Sequence, residues 1–216
     1  MKKVSLAKIK KMVKDVSMVL VLALVVSMFP MMSDPVDAKA ASARPRTLQE
    51  AVNIVVGRLE DKFITANGKS SAGMTKNTEM HSILASQWLH DLFPEITNWS
   101  KANFLQASSA WGCFGGSQLI LWLANELYYG GNVKLGYKKV VSCKLTKSNI
   151  VKYAKIGDHI RINNSTSVVF LGVNSDNTIK VAGVNYNPAR YGNNRLTIYN
   201  RKLDSKSMVI YRAYVK

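Results

Sequence analysis

Residues 113–129 are apolar nearly all the way round: Leu119, Ile120, Leu121, Trp122, Leu123 and Leu127 leave no polar stripe. Such a helix cannot lie on a surface, because it has no face to give to water. The rest of the chain must therefore surround it. Gly130 and Gly131 follow directly, as glycines do past a helix C-terminus. We expect a buried central helix that begins near Cys113 and runs to Tyr129.

What flanks this helix differs on its two sides. Upstream, Thr47 and Glu50 form a T-x-x-E capping box. Leu48, Val52, Val55, Val56, Leu59 and Phe63 then recur at helical spacing, which predicts an amphipathic helix ending near Phe63. Residues 65–80 read as a polar surface loop. A second helix is expected from about His81 to Phe93, with Pro94 stopping it. Downstream of residue 150 the texture turns to short β-rich runs, at 156–162, 167–173, 178–185, 195–203 and 207–215. Asn174-Ser175-Asp176-Asn177 marks a hairpin between the second and third. Helices first and strands second define an α+β domain, with a C-terminal antiparallel sheet of about five strands.

The first 14 residues hold six lysines, residues 16–32 are apolar or small, and Ala38-Lys39-Ala40 fits a cleavage site. These are the three parts of a secretory signal, which assigns residues 1–40 to a signal peptide and the rest to a secreted or cell-surface location. The alternative is an uncleaved anchor, which would be the chain's one membrane contact. Residues 41–46 are then a linker, 47–100 an N-terminal helical region and 101–216 the main domain. The whole chain carries a net charge of +17; residues 41–216 keep 23 basic and 10 acidic side chains. Such an excess implies an anionic partner outside the cell, a wall polymer before nucleic acid, which is not expected there. The alternative is that the charge serves solubility. The basic residues read as spread along the chain. Nothing in the sequence sets the oligomeric state.

Trp111-Gly112-Cys113-Phe114-Gly115-Gly116 opens the central helix. A cysteine there meets the positive end of the helix dipole and free backbone N–H groups, which favour a thiolate. A nucleophilic cysteine and a buried structural thiol are both open on this basis. Cys113 and Cys143 read as a reactive thiol and an incidental cysteine, and export leaves a bridge between them as the alternative. No His/Cys/Asp cluster has metal-ligand spacing and there is no phosphate-loop glycine motif, so neither metal nor cofactor is expected.

W-x-C-x-G at the start of a buried helix, followed by Gly157-Asp158-His159-Ile160-Arg161 and an antiparallel sheet, resembles the NlpC-type and CHAP-type papain-like cysteine hydrolases. The resemblance is to a secreted Gram-positive branch and covers about residues 104–216. It implies a papain-like fold in which Cys113 attacks an amide of cell-wall peptide. Asn185 falls where the histidine-orienting residue is expected, and Arg161 matches the arginine of the first strand. Trp111 and Tyr186 are candidates for the cleft wall, with core packing as their alternative. The sequence departs from the pattern at two places. Gly116 stands where an aromatic is usual, and Thr166 stands where the catalytic histidine should be.

Amide hydrolysis by a thiol needs one proton transfer to free the thiolate and another to protonate the leaving amine. A threonine hydroxyl serves neither, and losing general acid–base help costs about 10²–10⁴ in rate. His159 is the candidate replacement. Strand alternation sets it opposite Ile160, so if Ile160 is core, His159 is expected to face solvent or the rim of the site. His81 and His90 read as ordinary surface or half-buried residues. Three readings follow. The first is a catalytically impaired, wall-directed domain that binds wall peptide or an anionic wall polymer. The second is an active hydrolase using Cys113 with His159. The third is a secreted interaction protein or toxin that uses the fold as a scaffold.

Overall fold

The computed structural model describes residues 44–64, 68, 80–99, 112–131, 133–184 and 195–216. Helix α1 is Leu48–Leu59. Thr47 Oγ1 accepts the Glu50 N–H at 3.1 Å, and the Glu50 carboxylate reaches back to the Arg46 N–H at 2.8 Å, so the capping box closes one residue earlier than its usual form. The helix stops at Leu59 rather than near Phe63. Asp61 turns the chain with φ 63°, and Phe63 forms a β-bridge to Arg195 instead. The expected helix from about His81 to Phe93 is two short ones, α2 (Met80–Leu84) and α3 (Gln87–Leu92). Ser86 breaks it, with extended backbone and its hydroxyl donated back to the Ile83 carbonyl.

The central helix, α4, is Gly112–Tyr129, and its side chains are buried from Ser117 to Leu127. Strand β1 (Leu135–Lys144) and helix α5 (Lys147–Tyr153) follow. Then come β2 (His159–Ile162), β3 (Thr166–Val173), β4 (Thr178–Val184), β5 (Leu196–Lys202) and β6 (Ser207–Val215). All pairings are antiparallel, in one sheet ordered β1-β6-β2-β3-β4-β5. The sheet thus has six strands rather than about five, and the addition is β1. The architecture is α+β.

Both faces of this sheet are covered. On one, α1 and α4 pack over Val169, Ala182, Val184 and Leu196. On the other, Ile150 of α5 joins Ile160, Val168, Phe170, Val181 and Ile210. Gly116 lets α4 settle onto β4, because a Cβ there would collide with the Val184 side chain. That packing also explains why no aromatic can stand at position 116.

Candidate functional site

Cys113 is the second residue of α4 and is half-buried. Its Sγ–H donates to the Ser165 carbonyl at 3.5 Å. That carbonyl belongs to the β2–β3 connection, where Asn163 and Asn164 take left-handed backbone at φ 50° and 53°. Asparagine tolerates this conformation better than most residues. The tight turn brings the end of the hairpin against the start of α4.

Arg161 is anchored on the same turn. Its Nε donates to Asn164 Oδ1 at 3.0 Å, one Nη to the Asn164 carbonyl at 2.6 Å and the other to Ser167 Oγ at 3.1 Å. The guanidinium lies over the Phe114 ring, 5.2 Å from its centroid, as a cation–π contact. Arg161 makes no ion pair among the described residues. The thiol therefore has an aromatic ring next to it in sequence, and a fixed cation lies over that ring.

His159 does not face solvent. It is 0% exposed, like Ile160 beside it, and the expectation of an open face is corrected. Alternation does set the two residues on opposite faces, but each face carries its own core. His159 lies on the α4 face, with Phe114 edge-on at 5.2 Å and Tyr211 at 5.5 Å between ring centroids. Its Nδ1 shares a short hydrogen bond with Tyr137 Oη, and its Nε2 is buried with no partner among the described residues. Burial, with the Arg161 charge nearby, pushes its pKa down to about 3. Burial likewise pushes the Tyr137 phenol up, against a hydrogen bond with Gln118. This Tyr–His pair stays neutral at pH 7 and makes no hydrogen bond to Cys113.

Thr166 is also turned away from the thiol. It pairs with Ile162 and shares a strand face with Val168 and Phe170, on the α5 side of the sheet. Ser167, opposite Arg161, is the strand residue on the α4 side, and it is fully buried. The remaining elements of the Gly-Asp signature are structural. Gly157 takes φ 92°. Asp158 accepts Arg212 through both carboxylate oxygens, at 2.7 and 2.6 Å, and the Lys155 N–H at 2.8 Å. Burial pushes the Asp158 carboxyl up, and these hydrogen bonds oppose it.

Cys143 lies on β1 and packs against the α5-side core, whereas Cys113 lies at the α4 side. Both thiols are free. Trp111, Asn185 and Tyr186 lie outside the described residues, as do residues 1–40. His81 belongs to α2, and its side chain is outside the description too. His90 is half-buried, stacks on Trp99 and bonds the Leu84 carbonyl through Nε2 at 2.6 Å. No three His, Cys, Asp or Glu among the described residues are grouped to hold a metal.

Sequence reasoning missed Phe114, Tyr137, Ser165, Ser167 and Tyr211 as neighbours of this site. Phe114 was legible only as the residue after the cysteine, and Tyr137 stands on the strand that the β-rich runs omitted. No protein-family model matches the chain, and neither a curated protein nor a solved structure matches it.

Proposed function

We propose that the chain is a secreted, papain-like relative of the NlpC- and CHAP-type cysteine hydrolases that binds cell-wall peptide without cleaving it efficiently. One observation carries this reading. The Cys113 thiol sits at the start of the central helix, half-open, against the first hairpin of an antiparallel sheet, and its hydrogen bond goes to a backbone carbonyl. A carbonyl accepts a proton's attraction but takes no proton. The groups that would do acid–base work are elsewhere: His159 is held by Tyr137, and Thr166 is on the other face. What remains beside the thiol is Arg161 and Phe114, a cation and an aromatic suited to holding a peptide carboxylate or carbonyl.

The test is a peptidoglycan zymogram paired with a pull-down. Full chain and Cys113→Ala are expected to leave the gel uncleared and to be retained alike on peptidoglycan stripped of anionic polymer, while Arg161→Ala loses most retention. Clearing by the wild type that Cys113→Ala abolishes would overturn the binding reading in favour of catalysis. The unpartnered His159 Nε2 on the α4 face is the one observation that favours such an active enzyme. In that case His159→Gln must abolish clearing as well.

A further inference from the structure

Beyond residue 40 the net positive charge is confined to one part of the chain. Residues 41–126 hold seven basic and seven acidic side chains, whereas residues 127–216 hold sixteen and three. The even spread read from the sequence is thereby corrected. The three carboxylates of the second part are all engaged: Asp158 by Arg212, Asp204 by Lys206 and Arg201, and Asp176 by the Thr178 hydroxyl. Between residues 134 and 155 there are seven lysines and no carboxylate. All seven are exposed, and none makes an ion pair among the described residues.

These lysines line both flanks of one sheet edge and the helix after it: Lys138 pairs with Arg212 on the α5 side, and Lys139 with Tyr211 on the α4 side. β1 is an edge strand, paired only with β6, and a bulge follows Lys139. Helix α5 is pinned to its end: Asn149 donates to the Lys144 carbonyl at 2.9 Å, and Thr146 caps the helix. Ten strand residues at about 3.3 Å each make a ridge roughly 30 Å long. Its cations are lysines, point charges without the fork that selects one planar anion. Two of the rings beside it carry a lysine on one face. Lys138 Nζ lies 4.9 Å from the Tyr214 ring centroid and Lys152 Nζ 4.9 Å from that of Tyr153. A base stacking on that face of either ring would have to displace its lysine. Helix α5 exposes a single large apolar side chain, Val151 at 67%, too little for insertion into a bilayer.

We infer that the β1–α5 ridge is a binding surface for a linear, base-free phosphodiester polymer, separate from the Cys113 site. It rests on charge placement alone and does not depend on the papain-like reading.

Fluorescence polarisation of the full chain against labelled poly(glycerol phosphate), over a salt series, tests it. Lys144→Gln/Lys147→Gln/Lys152→Gln is compared with Lys62→Gln/Lys180→Gln/Lys202→Gln, an equal charge change near the opposite sheet edge. The ridge variant is expected to bind at least tenfold more weakly near physiological salt. Its log–log salt slope should shrink by about 2, while the control changes less than threefold. Equal losses in both variants would reduce the effect to net charge and overturn the site, as would no loss in the ridge variant. Single-stranded DNA with the same number of phosphates is expected to bind more weakly than the glycerol phosphate polymer. Tighter DNA binding would overturn the base-free assignment. Binding to phosphatidylglycerol vesicles with none to the polymer would overturn the polymer itself. Cys113→Ala should change nothing, so failure here and failure of the Cys113 reading are told apart.

Discussion

At the residue scale, the folded chain keeps His159 neutral well below the pH at which an exposed imidazole charges. The unfolded chain binds its proton near 6.5, the folded chain only near 3. The folded state therefore holds fewer protons across that window, and stability rises with pH through it. The contribution is complete above about 6.5 and is lost as pH falls toward 3, by on the order of 4–5 kcal/mol. Urea midpoints of the full chain should fall steeply between pH 7 and pH 4. His159→Gln is expected to be less stable at pH 7 yet to lose less on acidification; parallel declines would sink the assignment. The thiol's own position was legible, because a glycine-flanked cysteine at the head of an all-round apolar segment has few places to go. The orientation of Thr166 was not. A residue's face depends on which pair of a hairpin is in register, and that is set by the Asn163-Asn164 turn rather than by Thr166 itself. Thr166→His is accordingly expected to leave peptidoglycan uncleared, since the new imidazole would point to the α5 side. Clearing by that variant would show the register to be wrong.

At the element scale, α4 and the five strands after residue 150 could be read directly, because periodicity and bounding glycines agree there. β1 and α5 escaped for physical reasons. β1 is an edge strand whose alternation is broken by its bulge, and lysines interrupt its apolar pattern. Helix α5 is too short to establish a period. The contact of α4 with β4 yields a stability prediction. Gly116→Ala must displace Val184, and overpacking of this kind costs about 1–3 kcal/mol. Thermal melts should show the loss, and Val184→Ala combined with it should recover part. Full additivity of the two changes would argue that the helix and strand do not touch there.

At the scale of the whole molecule, the sheet is a partition with a core on each face. It separates the two cysteines, Cys113 on one side and Cys143 on the other. Mild oxidation of the full chain should leave the monomer mass free of the two-hydrogen loss that an internal bridge produces. A monomer lighter by two hydrogens under non-reducing conditions would contradict this placement. Helices-then-strands order made the α+β class legible from the sequence pattern alone. The double covering was not, because a strand buried on both sides and one buried on one side differ only in whether polar positions such as His159 and Ser167 are enclosed.

The uneven placement of charge gives the molecule a direction. Its lysine-bearing edge is drawn to a negatively charged layer more strongly than residues 41–126, whose charges balance, so it rotates into alignment before any contact forms. Dilute salt should then hasten arrival far more than it slows departure.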